Sequence, residues 1–177
     1  ANNFPPRIGF AWTVDEPEDL PAVGSTVCNN LQYWRKHNPW VNWQGTGTNQ
    51  LPPTVDLRTL DFPATYADLP TVSFVIPNQD HDMHDGAIPV AMGDSWLQTN
   101  LDAYVQWAKS HHSLFILTFD EDNDRAKNRI LTLFFGEGVV PGDYHQRIDH
   151  YSVLRTMLAL YGLSPLDQTA FATPIAG

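Results

Sequence analysis

This chain has one cysteine, half as many basic as acidic side chains, and no long apolar run. A single Cys28, in "GSTVCNN", cannot close a disulfide within the chain. Its expected role is a small buried hydrophobe, or half of a bridge if a further segment belongs to the molecule. Ten Lys and Arg against twenty Asp and Glu leave a formal charge of -10. That balance repels DNA and RNA at long range and excludes nucleic acid as an expected partner. It also repels anionic substrates, so any phosphate site needs local cations, a bound metal being the obvious source. No stretch is long and apolar enough to span a bilayer, so no transmembrane segment is expected.

What is present suits a globular domain: 177 residues, 42% of them hydrophobic and 17% charged. The whole of 1–177 reads as one domain. "RIGFAWTV" (Arg7–Val14) predicts a strand, followed by the proline-broken "DEPEDLPAVG". Asn38 to Pro70 is rich in Pro, Thr, Asn and Gly and reads as long loops, more than a compact domain usually carries. "TVSFVIP", "SLFILTF" and "RILTLFFG" predict strands buried on both faces. "GDSWLQTNLDAYVQWAKSH" predicts a helix with Leu97, Leu101, Tyr104, Val105 and Ala108 on one stripe and Asp94 as N-cap. "DHYSVLRTMLALYGL" predicts a second helix, striped by Val153, Leu154, Met157, Leu158 and Tyr161 and stopped by Gly162. Alternating strands and helices imply an α/β sheet with helices on its faces.

Chemistry gathers at two strand ends. "DHDMHD" sets Asp80, His81, Asp82, His84 and Asp85 behind one strand, and "DEDND" sets Asp120 and Glu121 behind another. Strands joined by a helical crossover run parallel, which would bring both loops to the carboxyl edge where open α/β sheets bind ligands. Asp120 and Glu121 offer hard oxygen ligands for a divalent cation, although acidic turns are also ordinary solvated surface. His81 and His84 could bind metal, pair with phosphate or move a proton, or simply pair with neighbouring aspartates. The loop position favours function, more for His84 than for His81. His37 in "RKHNPW" could equally end a helix, and His150 could cap or pack. His111 and His112 read as linker residues. Ser95 is exposed to suspicion as a nucleophile, but it falls in a helical turn with no base beside it and is set aside.

Together, "TVSFVIPNQDHDMHD", "GDSWL", "LFILTFDED" and "DHYSVLRTMLALYGL", with "RKHNPWVNW" upstream, resemble the phosphoesterase family of bacterial acid phosphatases and non-haemolytic-type phospholipase C, within the alkaline phosphatase superfamily. The resemblance implies a three-layer fold, a mostly parallel central sheet with helices on both faces. It implies metal-dependent hydrolysis of a phosphate ester through a covalent phospho-enzyme, in a secreted or periplasmic enzyme. Asp120 and Glu121 match the family's metal ligands, with Ca²⁺, Mg²⁺, Mn²⁺ or Zn²⁺ all admissible. His37 and His84 match phosphate-contacting or proton-donating histidines, with His81 beside them. Asp82, Asp85 and His150 would support these groups.

The family's acidic–Asn strand end and its Ser/Thr nucleophile have no counterpart here, and Ala1 stands where a methionine would begin a chain. The expectation is therefore the C-terminal part of a catalytic domain, joined by a separate N-terminal segment that carries the nucleophile. The substrate would be a phosphorylated small molecule or a phospholipid, and Trp40 and Trp43 could line a pocket for either. A metal- or anion-binding fragment without turnover is the alternative.

Overall fold

The computed structural model describes residues 10–12, 28–30, 32–37, 57–58 and 65–176. The expected acidic segment after the first strand, Trp40, Trp43 and most of the Pro- and Thr-rich stretch lie outside those residues. The chain divides into two compact units, Ala1–Trp107 and Ala108–Gly177.

In the first unit, three short parallel strands pair in the order β4-β1-β5. β1 (Phe10–Trp12) sets Phe10 against Leu57 of β4 (Leu57–Arg58), and Trp12 against Ile76 of β5 (Val75–Ile76). A two-residue antiparallel ladder joins β2 (Asn29–Asn30) to β3 (Tyr33–Trp34) and buries the Tyr33 side chain. Cys28, just before it, is exposed rather than buried. Its carbonyl accepts from the Arg35 amide, so the backbone there closes the ladder while the thiol faces outward.

The helix α1 runs from Pro89 to Ala108 and so begins five residues before the expected Asp94 cap. Proline has no amide hydrogen to lose and a φ already suited to a helix, so Pro89 opens the first turn at no cost. The expected stripe is present: Leu101 and Ala108 are buried, Tyr104 and Val105 half-buried, and Trp96 joins them. Full burial of a side chain such as Leu101 contributes about 1.5–3 kcal/mol. Tyr66 packs edge-on to Tyr104 and Trp107 at 5.5 Å each, which fixes the far end of the helix.

In the second unit, β6 (Leu114–Thr118) and β7 (Thr132–Gly136) form an antiparallel pair, with Phe115 opposite Phe135 and Thr118 opposite Thr132. Both strands are half-buried rather than fully buried, as is β5. Among the described residues β6 and β7 each pair with a single neighbouring strand, so neither is enclosed on both edges by the pairings described. The helix α2 (His150–Leu160) starts at Asp149, whose carboxylate accepts from the Ser152 amide at 2.9 Å in a capping box. It ends at Gly162, whose φ of +65° is left-handed, with the Leu163 amide donating to the Leu158 carbonyl. Val153 and Met157 of the expected stripe are half-buried and Leu158 buried, while Leu154 and Tyr161 are largely exposed. The α/β class stands, but β6 and β7 pair antiparallel and, among the described residues, β5 and β6 belong to separate sheets rather than to one parallel sheet.

Candidate functional site

The first unit carries the His/Asp loop, and one residue organises it. Asn78 is buried, and its carbonyl accepts from the amides of His81 (3.0 Å) and Asp82 (2.9 Å), turning the chain directly after β5. Its side-chain Oδ1 accepts from the Asp80 amide at 3.1 Å and lies 2.9 Å from His81 Nδ1. Because the Asp80 amide can only donate, that atom is the amide oxygen, and His81 must present its Nδ1 hydrogen to it. The His81 ring also stacks near Trp96 of α1, 6.3 Å between centroids.

Asp82 ties the loop to a distant part of the chain. Its Oδ1 accepts from the His84 amide at 2.9 Å, and its Oδ2 accepts from Gln79 Nε2 at 2.8 Å. The same Gln79 nitrogen stands 3.1 Å from Nδ1 of His37, which precedes it by 42 residues. His37 Nδ1 is also 3.8 Å from Asp82 Oδ2, and both side chains are mostly covered, at 23% and 12% exposure. The Gln79 amide donates to the Gln32 carbonyl, anchoring the loop to the β2–β3 ladder. His37, Gln79 and Asp82 thus form one interlocked cluster, and Asn78 holds His81 on the same loop.

His84 is differently placed. Its side chain is 62% exposed, with Nδ1 3.3 Å from an exposed Asp85 carboxylate. Met83, between Asp82 and His84, adopts φ +70°, so the loop reverses sharply there. Two cavities flank the loop. One, of about 460 Å³, is bounded by His81, Met92, Ser95, Trp96 and Asn100; the other, of about 310 Å³, by Trp34, Gln79, Asp80 and Asp85. Ser95 is exposed on α1 and borders the first cavity together with His81.

In the second unit, Asp120 and Glu121 follow β6 with exposed side chains. His150, the first residue of α2, lies with Nε2 2.8 Å from the Asp120 carbonyl oxygen. A carbonyl only accepts, so Nε2 carries the hydrogen and the helix start is pinned to the strand end. Asp122 organises the rest of this loop. Its carboxylate accepts from the amides of Asp124 (2.8 Å), Ala126 (2.7 Å) and Asn128 (2.9 Å). Desolvation works to raise its pKa, but the amides of Ala126, Asp124, Asn128 and Arg129 outweigh it and hold the carboxyl below its ordinary value. Asp124, Lys127 and Asn128 all take positive φ within this tight loop.

Adjacent carboxylates on a strand end are suitable hard donors for a divalent cation, but they are two where a closed shell needs six or more oxygens. Among the described residues, no three His, Cys, Asp or Glu side chains are grouped to hold a metal. Asp120 and Glu121 are therefore donors of the right type, but they do not by themselves complete a coordination shell. No helix among the described residues is long and apolar enough to cross a membrane.

Three residues escaped the sequence reading: Asn78, Gln79 and Asp122. An amide side chain three positions before a histidine, at a strand end, was the available signal for Asn78. For Asp122 it was Asp followed by Asp, Ala and Asn at alternating positions, the pattern of a carboxylate collecting successive amides.

Comparison with known proteins gives the same direction. The model of the Phosphoesterase family matches residues 8–164. A phosphatidylinositol-3-phosphatase of Mycobacterium tuberculosis is 49% identical over 168 residues, covering 95% of this chain and 52% of that protein. An acid phosphatase of Aspergillus fumigatus is 30% identical over 149 residues, covering 77% of this chain and 32% of that protein. The chain spans about half the length of the first and about a third of the second. No solved structure matches significantly.

Proposed function

Since the chain belongs to the Phosphoesterase family, we propose that it supplies the histidine cluster and part of the metal site of a phosphate monoester hydrolase. The observation that carries this reading is the cluster in which Gln79 Nε2 bridges His37 and Asp82 on the loop bearing His81 and His84. A phosphoryl group needs convergent N–H donors where charge builds on its oxygens, and histidines held by other side chains supply them without reorganisation. Both named relatives are phosphatases, which favours monoesters, of a small molecule or of a phospholipid headgroup, over the diesters of a phospholipase C.

In this reading His37 and His81 face the phosphoryl group and the leaving oxygen. The exposed His84 reaches the phosphate from the loop's outer side. Asp82 fixes the loop and Asp85 accompanies His84, while His150 steadies Asp120 through its carbonyl. Asp120 and Glu121 would hold a divalent cation together with further donors, and such an ion, when bound, polarises phosphoryl oxygens and acidifies a nearby hydroxyl. The nucleophile is a Ser or Thr hydroxyl contributed from N-terminal to these residues, in an alkaline-phosphatase-like three-layer sheet of an exported enzyme.

The test is p-nitrophenol release from p-nitrophenyl phosphate and from bis-p-nitrophenyl phosphate, before and after chelation and with Ca²⁺, Mg²⁺, Mn²⁺ or Zn²⁺ restored. Metal-restored cleavage of the monoester is expected, with the diester left largely intact. Saturable binding of phosphate without turnover of either ester would identify a binding module instead.

A further inference from the structure

Two adjacent side-chain amides, Asn78 and Gln79, face two different histidines. The chemistry of amides and carboxylates settles which nitrogen of each ring holds its hydrogen. A carboxylate only accepts, so the Gln79 atom 2.8 Å from Asp82 Oδ2 must be the NH₂ nitrogen. That nitrogen has a second hydrogen, and 3.1 Å away it meets His37 Nδ1. His37 Nδ1 therefore accepts, and the ring's hydrogen sits on Nε2. At His81 the logic reverses. Asn78 Oδ1 already accepts from the Asp80 amide, so it is an acceptor to His81 Nδ1 as well, and the His81 hydrogen sits on Nδ1.

We propose that Asn78 and Gln79 hold His81 and His37 in opposite neutral tautomers and so divide the roles of the two rings. His37 presents an N–H at Nε2 as a fixed hydrogen-bond donor to a phosphoryl oxygen. Placing a further proton on its Nδ1 would set a hydrogen against the Gln79 NH₂ group, even though Asp82, the charged group facing that nitrogen, attracts it. At His81 the added proton goes to the nitrogen that does not face its amide partner. A proton added at Nε2 leaves its Nδ1–H···Oδ1 bond to Asn78 intact, so His81 can carry a proton to a leaving oxygen and return to the same tautomer. Gln79 and Asn78 are then positioning residues, acting through the histidines. The division of roles rests on the phosphoesterase reading; the tautomers do not.

The tautomers are read directly by ¹⁵N-detected histidine spectra of the 177-residue chain at a pH where both rings are neutral. Hydrogen on Nε2 of His37 and on Nδ1 of His81 is expected; either ring in the other form overturns the inference. Gln79→Leu, which keeps the bulk but offers no hydrogen, should move the His37 hydrogen to Nδ1, toward Asp82. Gln79→Glu should do the same by accepting it, and serves if the leucine variant fails to fold. An unmoved hydrogen in the folded variant overturns the part given to Gln79. In the enzyme as its host makes it, His81→Gln should lose about 10²-fold or more in kcat on an alkyl phosphate, and less than tenfold on p-nitrophenyl phosphate, whose leaving group needs no proton. His37→Gln should lose equally on both. The reverse pattern overturns the division of roles. Correct tautomers with undiminished turnover in both variants would leave the tautomers standing and sink the functional reading beneath them.

Discussion

Replacing Gly93 by alanine tests how the loop is seated on its helix. Gly93 lies inside α1, where alanine is ordinarily more stable than glycine by about 1 kcal/mol. Here a Cβ would collide with Met83 Cγ, lie 2.5 Å from Met83 Cε and stand 2.9 Å from the His81 carbonyl oxygen. The methionine is flexible and can turn aside, but the carbonyl belongs to the backbone that Asn78 has turned. Overpacking of this kind costs about 1–3 kcal/mol. The clash therefore cancels the helix gain at the least and exceeds it by about 2 kcal/mol at the most, given those two ranges. For a chain of this size the larger figure lowers Tm by roughly 4–8 °C. Thermal unfolding followed by circular dichroism measures it. Adding Met83→Ala should relieve only the side-chain part, so the double variant should recover stability relative to the sum of the singles, with a coupling of about 0.5 kcal/mol or more. A Gly93→Ala chain stabilised by the full helix increment, with the His81 resonances unmoved, would refute the packing of the loop against α1.

Three further outcomes follow from the second unit. Asp149→Ala should destabilise the chain by about 1 kcal/mol through loss of the α2 cap. The Ser152 amide lowers the Asp149 pKa from 3.8, so its contribution is present above that value and disappears as pH falls through the lower folded value; denaturant titrations across acid pH should show the variant and parent converging. Asp122→Ala should speed hydrogen exchange at the amides of Asp124, Ala126 and Asn128, with α2 unaffected. Asp120→Asn should abolish metal-dependent phosphatase activity while leaving the unfolding transition in place, and wild-type metal content in that variant would remove Asp120 from the metal site.

The elements were legible where residue pattern and physics agree. The β-branched and aromatic runs at Leu114–Thr118 and Thr132–Gly136 are strands, and the stripe through Leu101 and Ala108 is helical. The start of α1 was misplaced because Asp94 competes on paper with Pro89, and an N-cap preference is weaker than a proline already set for the first turn. Depth of burial was overestimated for the strands, since an apolar run states what a strand could bury and not how many neighbours it has. At the site, the position of the His/Asp loop directly behind β5 was legible. The partnership of His37 with Asp82 was not, because it spans 42 residues and runs through Gln79, a residue type with no titration of its own to draw notice.

The claim to be tested is that this cluster acts on a phosphate ester. The most direct measurement is kcat/KM for p-nitrophenyl phosphate in the host-made enzyme and in its His37→Ala/His81→Ala double variant, with unfolding monitored in parallel. Loss of about 10²-fold or more, at the scale of removing a positioned donor to the phosphoryl oxygens, is expected with the fold retained. A folded double variant within tenfold of the parent would contradict it.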